Sequence, residues 1–456
     1  MIDVTTLRDQ ARGPVLRPGD DGFDAACGGF QLLDPHRPDA VLVAADERDV
    51  RVAVNFAAER GVPLAVQATG HGRNVGLDGG LLLATGALTA VRVDPADRTA
   101  WVSAGATWRQ VIDATAPYGL APLSGSFPAL GAVSYTLGGG IGLLSRRYGF
   151  AADRVRQLDV VTPDGELRHV TADTEPDLYW GLRGGGGNLG VVTGMRIELL
   201  PVARVYGGAL AFDVDADPGV LAGWWRWTRD LPDELTSAVS MLGYPDLPVF
   251  PAALRGRHIA KLQLCWCGPA EQGERLIAPL RELGECVQDS VGELPYAESG
   301  SIFAEPERPH PYRSSPVLLS ALDADRLDAL RRDAGAAPVM CVVGIRHLGG
   351  AMARPPRVPN AVGHRDAAYL LSVLSPVDAD AGTVADTHRR LTAPWQPDAV
   401  GRPLNFSFGP LAPREVLAGF DEAAQQRLAE LRARFDPAHT LRPHHPIPTP
   451  GRCRPG

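Results

Sequence analysis

Three glycine clusters in the first 200 residues, TGHGRNVG (69–76), LGGGIG (137–142) and RGGGGNLG (183–190), constrain this chain more than any other feature. Glycines in a loop let backbone N–H groups converge on an anion, because no Cβ blocks the approach. A diphosphate is the obvious anion for such a loop. Taken alone, each cluster reads first as a tight turn or a close backbone contact. Gly185, Gly187 and Gly190 also spell GxGxxG, the dinucleotide fingerprint that must follow a strand and open a helix. Here the next residues are VVTGMRIELLP, β-branched, alternating and strand-like. The Rossmann reading fails on that context.

The surrounding pattern predicts an α+β fold. PDAVLVAA reads as a strand, ERDVRVAVNFAAERG as an amphipathic helix stopped by Gly61, and VPLAVQA as a strand running into the first cluster. Further β-like runs fill 88–200 with one helix, TWRQVIDATAPYG. After Pro201 the composition shifts to alternating stretches, helices such as ADRLDALRRDAG and proline-rich loops, which suits a second α+β domain. Beyond about 395 come the segment LNFSFGP, the helix EAAQQRLAELRARF and a tail, LRPHHPIPTPGRCRPG, expected to wrap in order and then fray.

Composition removes several functions. The 456 residues carry a net charge of −8, and no long basic run occurs, so a nucleic-acid or anionic-membrane partner is not expected. The single lysine, Lys261, has no Walker A context and sits in the strand-like run IAKLQLCWC, which argues against Schiff-base chemistry. HExxH and GxSxG are absent. Six cysteines (Cys27, Cys265, Cys267, Cys286, Cys341, Cys453) lack metal-ligand spacing and read as small buried hydrophobes. With no apolar leader at the N-terminus and no apolar run of about 18 residues, a cytoplasmic protein is expected.

The order of the clusters, with their neighbours, resembles the berberine-bridge-enzyme-like FAD-linked oxidases of the vanillyl-alcohol-oxidase and p-cresol-methylhydroxylase superfamily. The residues that carry this resemblance are ATGHGRN after a strand, GSFPALGAVSYTLGGGIG (125–142), DLYWGLRGGGGNLGVVT (177–193), and the closing Asn405–Phe406 pair with ARFDPAHTLRPHHPI. The resemblance implies a two-subdomain FAD-binding domain with an inserted α+β substrate domain. Its expected bounds are 1–204 for the FAD-binding domain, 205–394 for the substrate domain, and 395–456 for the segment completing the former. It also implies FAD bonded through the flavin 8α-methyl to His71. Thr69, Gly70, Gly72, Arg73 and Asn74 would then form the turn on the pyrophosphate. Gly125, Gly131, Ser134, Gly139 and Gly142 would let the backbone lie close to the flavin and the phosphates. Val192 would face the adenine end, and Asn405 the pyrimidine side of the ring.

Two departures stand out. Bicovalent members carry a cysteine where this chain has Phe127, so a second bond to the flavin cannot form. Many also carry a tyrosine two residues before the asparagine, where this chain has Pro403, so no catalytic base is assigned. Arg346, His347, Tyr312 and His364 are the middle region's candidates for that role. The expected activity is hydride transfer from a small organic molecule to FAD and then to O2, giving H2O2. The alternative is a cyclase or isomerase in which FAD is structural or absent. A non-catalytic binding protein would leave the glycine clusters and His71 unexplained.

Overall fold

The computed structural model describes residues 2–378 and 380–449. Cys453 and the end of the tail lie outside them. Three sheets organise the chain.

The first sheet takes strands Val15–Leu16, Ala40–Val43, Leu81–Ala84 and Leu64–Gln67 in that spatial order. Its last three strands run parallel, which requires a crossover, and helix Glu47–Arg60 supplies it. Local chemistry sets the helix limits. The Asp46 carboxylate accepts from the Asp49 amide at the start, and Gly61 ends the helix with φ 63°. Val50, Ala53, Val54 and Ala57 form the face buried against the sheet.

A second, antiparallel sheet orders Val91–Asp94, Thr99–Ser103, Val191–Glu198, Val155–Val161 and Leu167–Val170. Helix Trp108–Thr115 packs here, capped by a reciprocal Thr107–Gln110 pair. The GxGxxG stretch becomes a short 3-10 turn, Gly186–Asn188, and then enters strand Val191–Glu198. No helix follows it, as the β-branched residues foretell.

The middle of the chain builds a nine-stranded antiparallel sheet around His258–Trp266, Leu235–Gly243, Val342–His347, Tyr369–Pro376 and Tyr312–Leu319. Helices Val220–Thr228 and Ala324–Gly335 cover one face, where Trp224, Leu262, Val343 and Ile345 are fully buried. Lys261 stands within strand His258–Trp266 with its Nζ over the Tyr244 ring, far from a Schiff-base setting. This sheet extends past residue 394, because Ala399–Gly401 pairs with Tyr312–Leu319.

The C-terminal segment returns to the start of the chain. The Leu64 amide donates to the Thr440 carbonyl and the Arg442 amide to the Leu64 carbonyl, so the tail pairs with the edge of the first sheet. The Asn188 carboxamide accepts from the Ile447 amide and donates to the His445 carbonyl. Among the described residues no helix is long and apolar enough to cross a membrane, and no cluster of His, Cys, Asp and Glu suits a metal ion.

Candidate active site

Strand Leu64–Gln67 delivers the chain into the 69–76 turn, and Gly70 makes the turn possible. Its φ is 72°, and a Cβ there would lie 2.7 Å from the Gly29 Cα. That close approach swings His71 into an aromatic box. Its ring stacks on Phe30 at 4.0 Å and meets Phe127 edge-on at 5.4 Å, while Tyr312 Oη donates to the His71 carbonyl at 2.6 Å. Burial, and then the neighbouring His310, push the His71 pKa down to about 4, so the imidazole is neutral at ordinary pH. Nδ1 lies 2.8 Å from Thr69 Oγ1, and Nε2 is buried without a partner. If Nδ1–H donates to the threonine, the lone pair falls on Nε2. A neutral, oriented imidazole nitrogen with no internal acceptor or donor is a nucleophile held ready.

The rest of this turn divides between side chain and backbone. The Arg73 guanidinium is 2 % exposed and donates to the carbonyls of Leu33, Cys27 and Gln31 and to Gln67 Oε1. Asn74 Oδ1 accepts from the Gly409 amide at 2.9 Å, and Nδ2 lies 2.8 Å from His445 Nε2. Both side chains therefore rivet the turn to its surroundings. The amides of His71, Gly72 and Asn74 donate to no described residue. A Cβ on Gly72 would meet nothing within 4 Å. Free amides in an open glycine turn form an anion cradle.

The 125–142 segment packs beside the first cluster, with Gly131 placing a Cβ position 3.6 Å from Thr69 Oγ1. Helix Ala132–Leu137 follows, with Ser134 exposed upon it. Internal packing accounts for most of the remaining glycines. A Cβ on Gly142 would fall 1.8 Å from the Ser124 carbonyl, and one on Gly125 would lie 3.0 Å from the Tyr135 ring. Gly139 has φ 103° and faces Val362. Asn405 Nδ2 donates to the Tyr135 carbonyl at 2.9 Å, and its Oδ1 fills the place a Cβ on Gly138 would take. The structure thus joins the 69–74 turn, the 125–142 segment and Asn405. Val192 stands apart in strand Val191–Glu198, paired with Val160.

The middle region's candidates sort by their contacts. His347 is buried and accepts from Arg146 through Nε2, with its pKa pushed to about 3 by burial and that guanidinium. His364 bonds the Ala418 carbonyl and packs on Gly401. Both are structural. Arg346 differs. Its guanidinium lies over Phe303 at 4.5 Å and Phe406 at 5.2 Å, and Nη2 donates to Ser126 Oγ at 3.3 Å. Ser126 in turn donates to Glu305 Oε1 at 2.6 Å. Sequence reasoning had not singled out Phe303, Glu305 or Ser126. They are ordinary residues in loops whose meeting only the fold creates.

Known proteins resemble this chain in sequence and in fold. Residues 38–171 match the model of an FAD binding domain. An FAD-linked oxidoreductase of Dictyostelium discoideum is 29% identical over 448 residues, covering 95% of this chain and 94% of that protein. The (R)-6-hydroxynicotine oxidase of Paenarthrobacter nicotinovorans is 29% identical over 304 residues, 64% of this chain and 63% of that one. The crystal structure of 6-hydroxy-D-nicotine oxidase from Arthrobacter nicotinovorans superposes with a TM-score of 0.86 at 24% identity, over 98% of this chain and 100% of that chain. A carbohydrate oxidase from Microdochium nivale gives 0.82 at 18% identity, over 97% and 99%. The chain thus carries an FAD binding domain over residues 38–171 and shares the fold of these oxidases over nearly its whole length.

Proposed function

We propose that this protein is an oxidase whose FAD is held by a single covalent link through His71. The observation that carries the reading is the His71 ring itself, neutral, stacked on Phe30 and presenting a buried Nε2 with no partner. FAD, when bound, supplies the electron sink that takes a hydride from a small organic substrate and passes two electrons to O2, giving H2O2.

The chain's own residues bind and orient. Thr69 keeps the His71 ring in one tautomer through Nδ1. The open amides of the 69–74 turn serve the pyrophosphate, and Arg73 and Asn74 hold that turn in shape. Gly125, Gly131, Gly139 and Gly142 form the close-packed wall beside it, Ser134 presents its exposed hydroxyl there, and Asn405 serves the pyrimidine edge. Phe127 takes the place of a second tether and excludes water from the box. Val192 serves the adenine end through its backbone.

The test begins with colour. After acid denaturation the flavin should stay with the polypeptide, and peptide mass mapping should find FAD on the fragment containing His71. His71→Ala should release its flavin on denaturation and turn over about tenfold more slowly, about 1.4 kcal/mol of barrier. Flavin recovered wholly in the supernatant of the wild-type protein would remove the tether. Under air, a substrate should yield one H2O2 per turnover. Turnover without H2O2 and without anaerobic bleaching of the flavin would instead identify a redox-neutral cyclase or isomerase.

A further inference from the structure

We infer that the site selects a substrate carrying a carboxylate, and that Arg346 is the residue that reads it; this rests on the flavin reading above. Arg346 lies on strand Val342–His347, near the middle of the nine-stranded sheet, opposite Ala238 and Leu370. Alternation along the strand buries Val343 and Ile345 in the core of the helix-covered face and turns Arg346 to the other face. There it borders a small cavity of about 10 Å³, lined on one side by Ile141, Leu143 and Phe303 and on the other by Thr236, Ser237 and Gln263.

Its neighbours bracket the proposed flavin site from both ends. Ser126, which accepts from Nη2, immediately precedes Phe127 of the His71 box. Phe406, under the guanidinium, immediately follows Asn405. A cation touching both sits over the span between them.

Its donors are also unspent. A guanidinium has five N–H groups, and Arg346 places one of them, on a neutral hydroxyl at 3.3 Å. Several other arginines inside this protein spend their donors more fully. Arg73, Arg146 and Arg183 each donate to several backbone carbonyls, and Arg365 pairs with Asp153. Among the described residues no carboxylate oxygen lies within 4 Å of Arg346, and the nearby Glu305 is engaged by Ser126. Two aromatic rings fix the plane of the fork without neutralising it. A half-buried cation arranged this way favours a planar oxyanion that can take two parallel hydrogen bonds. The Glu305 carboxylate, linked to Arg346 through Ser126, already offsets part of the guanidinium charge, so a monoanion is tolerated better than a phosphate dianion.

The experiment uses the purified full-length protein with its flavin. Benzoate, phenylacetate and 3-phenylpropionate are each titrated against the matching amide, with binding read from the flavin visible spectrum and, separately, from the shift in melting temperature. At least one acid should bind about tenfold or more tightly than its amide, a difference of about 1.4 kcal/mol. R346M should bring that ratio to one, R346K should leave part of it, and E305Q should tighten the acid but not the amide. Acid and amide indistinguishable in every wild-type pair would overturn the inference, and that comparison needs no variant to fold. A ratio that survives R346M, with only the flavin potential moved, would equally overturn it and make Arg346 a flavin-positioning residue. Protein that retains no flavin would defeat the function proposed above, while the melting shifts would still read the acid-to-amide ratio.

Discussion

At the scale of residues, His71 and Phe127 divide one task. On the proposed covalent reading, the histidine offers a lone pair and the phenylalanine beside it occupies the flank where a thiolate could offer another. Phe127→Cys should therefore create a second attachment in part of the protein. Its signature is flavin that survives acid denaturation in the Phe127→Cys, His71→Ala double variant under oxidising conditions; complete release there would mean that another residue flanks the ring. The same local physics sets a pH dependence. An exposed histidine would lose its neutral form below pH 6.5, whereas His71 holds its own down to about 4. Covalent incorporation of FAD added to flavin-free protein should thus run at an unchanged rate from pH 8 to about 5.5, measured by the growth of acid-stable absorbance. The strand-and-turn setting of His71 was legible in the sequence because strand, turn and glycines lie side by side in the chain. Arg346 could only be offered among several candidates, because what distinguishes it is the company of Ser126, Phe303 and Phe406, and these approach only when three segments meet.

Elements show where the sequence speaks for itself and where it does not. Helix Glu47–Arg60 and strands Ala40–Val43 and Leu64–Gln67 follow directly from periodicity, an aspartate cap and a stop glycine. The nine-stranded sheet was visible only as alternating stretches, since antiparallel partners such as Leu235–Gly243 and Val342–His347 are about a hundred residues apart and no local signal states their pairing. Glycine clusters were ambiguous for a different reason, because one residue type serves both packing and ligand approach. Two substitutions separate these uses. Gly142→Ala should cost about 1–3 kcal/mol of stability, as its Cβ must displace the Ser124 carbonyl. Gly72→Ala should melt with the flavin-free wild type and fail only in flavin retention, since its Cβ enters open space beside the amides of the turn. Thermal melts of flavin-free protein together with flavin content distinguish the two outcomes.

Over the whole molecule, buried neutral histidines couple stability to acidity. His36, His347 and His388 are 6, 9 and 2 % exposed, and burial lowers their pKa values to about 4, 3 and 4. The unfolded chain, with histidines near 6.5, binds more protons between those values, so stability is full above about pH 6.5 and falls as pH drops toward 4. Each such histidine removes at most about 1.4 kcal/mol per pH unit across that window, and urea midpoints at pH 7 and pH 5 should show the loss. Connectivity carries the other whole-molecule expectation. We propose that the first 200 residues and the segment after 395 act as one discontinuous flavin-binding unit. Deleting 395–456 removes Asn405, the Gly409 and His445 partners of Asn74, and the strand partner of Leu64, and should abolish flavin retention. A truncated protein that stayed yellow and soluble would contradict it. The tail's seat against Leu64 also imposes a timetable. A ribosome makes the N-terminus first, so the first sheet must wait with its Leu64–Gln67 edge uncovered while about 375 further residues are added. If the 69–74 turn holds FAD as proposed, loading should follow completion of the tail that covers this edge.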